Sequence, residues 1–418
     1  MSPALLRPAC ALLRHLPMLR LKRGLWVTRH ADVVEVLTRD DDFGVDPAMA
    51  ERFEQVVGPF LLGMDRSSAY EAQASLLRRV VGPNDLPRIR ELVANHVTEV
   101  MGEAWSGGRI DVVWLARTVS VRLMGSYLGV PGPDDATMLG WVRTLFGYAF
   151  FARSAEEAMG SAGELRDYLQ GLLTQRRATM AAGAHGYRGQ HDDDVLTRLL
   201  ELQRGDPSLE DNILRCNLAG LAVAAVEECA KAIVYVTDEL LGRPTAHAEA
   251  REAALAGDMA TLKRYVFEAM RFRPNNPTVP PRFCKRETTV AEGTRWEQRI
   301  PAGRRLVVFT FSAMFDEDAF HEPDHFRTDR SLERYLQFGH GLHTCFGRQI
   351  VAAVVPDVIA ALLCLPGLRR APGREGRITY DGFSPIRLVL ESDEPVSCRS
   401  QPVAEEPCLV GLRSRTPF

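Results

Sequence analysis

The sequence predicts a mainly helical protein, a large helical body with small β-sheets at its edge, and three observations predict it. First, apolar residues recur at helical spacing through most of the stretch from about 84 to 270. Leu92, Val93, His96, Val97, Val100 and Met101 form one such series; Leu165, Tyr168, Leu169, Leu172 and Leu173 form another. Second, residues 211–242 form one helix candidate with no glycine after Gly220 and no proline before Pro244. It is too long and too apolar in its middle for a surface helix. Third, the pattern changes after 271. Prolines at 274, 277, 280 and 281 turn the chain, and short β-branched runs follow.

The elements follow in order. Residues 25–38, LWVTRHADVVEVLT, begin β-prone and become helical. Residues 180–194, MAAGAHGYRGQHDDD, are polar and aperiodic and read as a loop. Beyond the prolines, strands are expected at Thr288–Val290 and at 304–311, where RRLVVFTF is β-branched and aromatic. Residues 313–337 read as irregular, about 346–365 as a last helix, and 386–390 as a strand. No internal repeat is visible. The expected organisation is a lead-in over 1–24, a single domain over 25–392, and a flexible polar tail over 393–418.

Composition narrows the function classes. The formal net charge is -3 and arginine is spread along the chain, so nucleic acid is not an expected partner. The first twenty residues are partly apolar, but Arg7, Arg14, His15 and Arg20 interrupt them. No unbroken apolar run reaches the ~20 residues that cross a bilayer. No membrane anchor is expected, and the chain reads as cytoplasmic. Eight cysteines lie scattered, without a CxxC pair, as expected of reduced thiols used as small apolar residues.

Position alone does not select any of those cysteines, but the neighbours of Cys345 do. In FGHGLHTCFG, residues 338–347, a cysteine sits between a glycine-rich loop and the start of a helix. Gly339, Gly341 and Gly347 allow positive φ and a close backbone approach to a flat ligand. A helix N-terminus favours a thiolate, and a metal favours it more strongly. Phe338 can pack beside the sulfur and exclude water, and loop N–H groups can hydrogen-bond the sulfur. His343 is placed to reach an anionic group on the same ligand. Two other readings exist: a structural cysteine after a tight turn, and a zinc site from His340, His343 and Cys345, which lacks a fourth ligand at a usual spacing.

The segment fills every position of FxxGxHxCxG and resembles the haem-binding loop of the cytochrome P-450 family. Glu268-Ala-Met-Arg271, followed by Arg273-Pro274, resembles that family's ExxR motif, and PDHFRTDR at 323–330 resembles its PxxF segment. The resemblance covers roughly residues 20–392. It implies the fold of that family, a haem b cofactor, Cys345 as the axial iron ligand, and a buried structural pair in Glu268 and Arg271. His325 stands where many members carry arginine, so a third charged partner for the pair is not supplied there. Arg78 resembles the arginine of the helix that contacts a haem propionate, with Ala74 where a histidine or tryptophan often stands. Arg282 is the second propionate candidate.

The departure from the family lies in the long helix. Members usually carry an acid followed by threonine where that helix passes over the haem, and the threonine helps deliver protons during oxygen activation. Ala224-Ala-Val-Glu-Glu-Cys229 has Glu227 as the acid and Glu228 in the threonine position. A carboxyl raised in pKa by an apolar pocket could relay protons instead. Adjacent helical residues diverge by about 100°, so one of the two at most faces the iron; Glu228 could equally turn to solvent or to an arginine. The resemblance implies a haem-thiolate monooxygenase that inserts one oxygen atom from O2 into a lipophilic small molecule. A hydroperoxide-using or hydroperoxide-rearranging enzyme, and a non-catalytic haem or ligand carrier, are the other readings. The expected pocket comprises residues 60–64, Phe146, Tyr148, Phe150, Phe151, residues 219–225, residues 276–279 and the loop at Phe383. A separate ferredoxin- or flavodoxin-type electron donor is expected, docking near Arg330, Arg334 and Arg348.

Overall fold

Strand pairing starts inside the expected lead-in. In the computed structural model, which describes residues 8, 10, 18–22, 24–105, 107–182, 193–382 and 384–393, Met18–Leu21 (β1) pairs antiparallel with Gly24–Val27 (β2). His30–Thr38 (α1), Phe43–Val45 (β3), Pro47–Val56 (α2) and Ser68–Val80 (α3) follow. Then come Leu86–Ala104 (α4), Arg109–Asp111 (β4), Val112–Leu128 (α5), Asp135–Phe151 (α6), Ala155–Ala182 (α7) and Val195–Gly205 (α8). Asp211–Leu241 (α9), Pro244–Leu255 (α10) and Met259–Phe272 (α11) complete the main helical run. The C-terminal part holds Arg282–Cys284 (β5), Thr288–Val290 (β6), Gln298–Ile300 (β7), Arg305–Val308 (β8) and the single turn Thr310–Ala313 (α12). Arg348–Leu363 (α13), Arg369–Arg370 (β9), Thr379–Asp381 (β10), Ser384–Arg387 (β11) and Val389–Glu391 (β12) end it. The expected tail beyond 393, most of the 180–194 loop and Phe383 lie outside the described residues.

Side-chain caps set the helix starts. Ser67 accepts from the Tyr70 N–H at α3, Asp134 from Thr137 at α6, Asp194 from Thr197 at α8 and Asp258 from Thr261 at α11. Each satisfies an N–H that the first turn leaves without a helical partner. At the other end of α5, Gly129 takes φ +76° and stops the helix. Helices α5 and α9 are buried around most of their circumference, as their unbroken apolar sequences predict. α9 packs against α5, α6, α11 and α13 and is the centre of the helical body. Its Leu214, Leu218, Ile233 and Leu240 have no solvent exposure, and burying such a side chain contributes about 1.5–3 kcal/mol each. At Gly220 the ring of Phe60 lies where a Cβ would project, so the close approach of residue 60 to α9 requires glycine.

The largest sheet has the order β1-β2-β8-β5-β3. β2 and β8 run parallel with Leu25 opposite Leu306, and β5 pairs antiparallel with both β8 and β3. Leu25, Val27, Leu306 and Val308 turn inward with α1 against them, giving this sheet its own apolar cluster. The strand expected over 304–311 is shorter than its β-branched run. After Val308 the Phe309 N–H binds the Val27 carbonyl, Phe311 binds the Pro277 carbonyl, and the chain turns into α12. Tertiary partners override the local β preference there. The strand expected at 386–390 is likewise divided. β11 pairs with β10 as a hairpin, while β12 pairs with β4 and β9.

Candidate functional site

Between the 338–347 loop, the middle of α9 and the turning segment 274–280 lies a cavity of about 410 Å3, within the range of small-molecule and cofactor sites. Arg78, Glu228, Arg282, Phe338, Gly339, Gly341, His343, Cys345 and Gly347 all line it. Four distant stretches of chain are thus brought to one space.

The Cys345 wall is held by backbone. The Cys345 N–H donates to the Phe338 carbonyl at 2.8 Å, Gly339 to Leu336 at 3.0 Å, and Thr344 to Gly341 at 3.0 Å. Gly339 and Gly341 take φ +72° and +67°, the left-handed region that disfavours other residues. At Gly341 a Cβ would also collide with the Leu37 carbonyl oxygen at the end of α1. Gly347 departs from expectation: its φ is -83°, an ordinary value, because it already serves as the N-cap of α13. The Phe338 ring packs against Phe267 at 5.7 Å. Cys345 lines the cavity, and its side chain is exposed to that space. Burial pushes its thiol up to about 11, while the Gly347 N–H and the Arg348 charge work in the opposite direction. A bound metal ion reverses that balance by displacing the proton.

Beside the cysteine stand two basic groups. His343 is driven down to about 3, first by burial and then by Arg282, so its imidazole is neutral at physiological pH. Its ring meets that of Tyr70 edge-on at 5.9 Å, and the Tyr70 hydroxyl donates to the Leu342 carbonyl at 2.8 Å. Arg282, on β5, is only 4% exposed. Burial lowers its guanidinium to about 10, so it remains charged. Among the described residues it makes one hydrogen bond, to the Pro280 carbonyl at 2.9 Å. A buried cation with most of its five N–H groups unmatched is costly unless an anion joins it. Arg78 reaches the same cavity from the last turn of α3, one turn beyond buried Ala74. A planar ligand with acidic substituents and a metal that takes sulfur fits this donor set.

The α9 wall is held by side chains. Leu221, Ala224, Ala225, Glu228 and Cys229 face the cavity. Glu228 Oε1 accepts from Lys231 Nζ at 2.8 Å and from Asn276 at 3.0 Å, and Oε2 accepts from Asn275 at 2.8 Å. Lys231 also donates to Asn276 at 3.1 Å and lies over the Phe146 ring at 5.3 Å. Burial drives the Glu228 carboxyl up, but the Lys231 ammonium and the two amides outweigh it and hold it below the usual carboxylate range. The expected upward shift is therefore reversed. Glu228 turns neither to solvent nor to an arginine. Glu227 points away from the cavity: it is buried against Arg117 at 3.1 Å, Ser384 and, at 3.9 Å, Arg143.

Glu268 and Arg271 are wholly buried beneath the loop and joined at 2.7 and 2.9 Å. Arg271 also donates to the carbonyls of Met314, Pro323 and His325. Glu268 accepts from Tyr335 at 2.5 Å, from the Arg327 N–H at 2.9 Å and from Arg330 at 3.4 Å. Arg330 is thus the third charged partner that His325 does not supply. With its side chain 7% exposed it is removed from the expected docking surface, which keeps Arg334 and Arg348.

Of the expected pocket segments, Phe60, Leu61 and Leu62 line the cavity, as do Asn276, Thr278, Val279 and, from the aromatic cluster, Phe150. Phe146 is core beneath Lys231, the Tyr148 hydroxyl is bonded to Gln55, and Phe151 is exposed. Sequence reasoning missed Tyr70, Lys231 and Asn275. For Lys231 a signal existed: it stands three residues after Glu228, on the same helix face.

A cytochrome P-450 family model matches residues 137–355. Mycinamicin IV hydroxylase/epoxidase of Micromonospora griseorubida is 28% identical over 359 residues, 82% of this chain and 82% of that protein. Nocardicin C N-oxygenase of Nocardia uniformis subsp. tsuyamanensis is 28% identical over 408 residues, 92% of this chain and 94% of that protein. The crystal structure of CalO2 superimposes with a TM-score of 0.79 at 23% identity, covering 93% of this chain and 96% of that one. Among the described residues no helix is long and apolar enough to cross a membrane.

Proposed function

The chain belongs to the cytochrome P-450 family, and from that membership we propose that it is a haem-thiolate monooxygenase with Cys345 as the axial ligand of haem b. The observation that carries the reading is Cys345 Sγ opening onto the same cavity as buried, under-partnered Arg282. Bound haem iron would supply O2 activation and the insertion of one oxygen atom into the substrate. The chain's residues do the rest. The 338–347 backbone orients the sulfur, Phe338 keeps water from it, and the Gly347 N–H tunes it. Arg282, Arg78 and neutral His343 hold the acidic edge of the cofactor. Glu268 and Arg271 anchor the segments beneath the loop and position it.

The substrate side of the cavity is largely apolar, with Leu221, Ala224, Ala225 and Phe150, which supports a lipophilic small molecule. Relatives named as a hydroxylase/epoxidase and an N-oxygenase support oxygen insertion as the reaction. Electrons would come from a separate ferredoxin- or flavodoxin-type protein, docking at Arg334 and Arg348. The expected cytoplasmic setting belongs to the same proposal. A second reading, use of hydroperoxide as oxidant, is favoured by one observation: where the family carries a threonine hydroxyl, Glu228 is an ion-paired carboxylate with no proton to give.

The test is the absorption spectrum of the haem-loaded protein, reduced under carbon monoxide, for wild type and Cys345→Ser. A strongly red-shifted Soret band in wild type alone is expected. A histidine-type band, or the same band in both proteins, would overturn the assignment. Turnover with O2 and a donor, against turnover with hydroperoxide alone, separates the two oxidants.

A further inference from the structure

The family accounts for the cysteine loop and the buried pair below it, but not for the charged cluster on the opposite wall. Lys231 is 1% exposed, deep in α9. A lysine ammonium there is tolerated because Glu228, Asn276 and the Phe146 ring surround it. Asn275 and Asn276, which follow Pro274, reach across from the turning segment; Asn275 also binds the Glu228 main-chain carbonyl at 2.8 Å. The carboxylate is thereby fixed from three sides in one orientation.

That orientation leaves it incomplete. A carboxylate accepts about four hydrogen bonds. Among the described residues Glu228 accepts two on Oε1 and one on Oε2, and its side chain keeps 25% of its surface open to the cavity. Around it on α9 the lining is Leu221, Ala224, Ala225 and Cys229. A purely hydrocarbon ligand pressed against this wall would strip the carboxylate of water and offer nothing in return. A ligand with an N–H or O–H group would complete it.

We propose that Glu228, positioned by Lys231, Asn275 and Asn276, is a specificity-determining acceptor, and that the substrate carries a hydrogen-bond donor, an N–H or hydroxyl on an apolar body, that docks on Oε2. This rests on the monooxygenase reading for the word substrate, but the binding preference stands by itself. Lys231 acts through Glu228 and is a positioning residue.

The test is equilibrium dialysis of haem-loaded protein with two matched pairs: indole against indene, and 4-cyclohexylphenol against cyclohexylbenzene. In at least one pair, wild type is expected to bind the donor member about tenfold more tightly, about 1.4 kcal/mol, and not less than threefold. The double variant Glu228→Leu/Lys231→Met removes acceptor and cation together, leaves no unpaired buried charge, and should bring the preference below threefold. If it does not fold, Glu228→Gln carries the same expectation, because its one oxygen stays with Lys231 and Asn276 and its NH2 group, a donor, takes the place of Oε2. A wild-type preference below threefold in both pairs, including binding of none of the four compounds, overturns the proposal, as does a preference that survives the substitutions. Failure of the Soret test with the preference intact would remove the haem-thiolate reading alone; the reverse combination would remove the donor class alone.

Discussion

On the Cys345 side of the cavity, main chain holds main chain. Within ten consecutive residues, carbonyls and N–H groups close tight turns around two left-handed glycines, and the sulfur is oriented by neighbours in sequence. On the α9 side, side chains hold side chains. Lys231 comes from the same helix, but Asn275 and Asn276 come from 47 and 48 residues away. The first wall has one arrangement written into its backbone. The second is an electrostatic agreement between segments, so it can change its chemistry without changing the fold. The proposed haem ligation therefore belongs on the first wall and the proposed substrate choice on the second.

The predictions probe that contrast, and the largest concerns what lies beneath the cysteine wall. Arg271→Leu leaves Glu268 buried without its main partner and should cost about 3–5 kcal/mol. Denaturant titration should show a strongly lowered midpoint or no cooperative transition. On the α9 wall, Lys231→Met should cost about 2 kcal/mol, because Glu228 keeps cavity exposure and two amide donors. Adding Glu228→Leu should restore part of the loss. A double-mutant cycle with no coupling between 228 and 231 would break the comparison.

Gly341→Ala should also cost about 2 kcal/mol, through its positive φ and the Leu37 carbonyl, and thermal melting of the haem-free protein would reveal it. Arg282→Leu is expected to spare the haem-free fold while speeding haem transfer to excess apomyoglobin about tenfold, equivalent to about 1.4 kcal/mol of lost binding. The smallest effect is in pH. The Glu228 carboxyl is held below its ordinary 4.5, so the network's contribution is fully present above that value and is lost as pH falls through the lower folded value. The stability gap between wild type and Glu228→Gln should narrow on acidification from pH 5 and stay flat above it. A gap that widens on acidification would mean that burial, not Lys231, governs the group.

Several features were legible because they are local. The decapeptide around Cys345, the ExxR pair and the long apolar α9 are patterns over a few turns of chain, and backbone and helix geometry turn them into structure with little outside help. Other expectations failed where a distant partner intervened. An apolar setting predicted a raised Glu228 carboxyl, and the ammonium one helical turn away, with two amides from the proline-rich segment, reversed it. Arg330 looked like a surface charge but is drawn under the loop by Glu268. The β-branched run at 304–311 becomes a turn of helix once the Val27 and Pro277 carbonyls claim its N–H groups.

By itself the sequence determined the helical body, the cysteine loop and the pairing of Glu268 with Arg271, because spacing along a helix or within a turn decides which atoms meet; that the pair is buried was implied by the family resemblance alone. The tertiary structure alone decided which glutamate faces the cavity, what charge it carries and which arginine completes the buried pair. Those outcomes depend on Coulomb and desolvation energies between groups far apart in the chain, and no local pattern reports the distance between them.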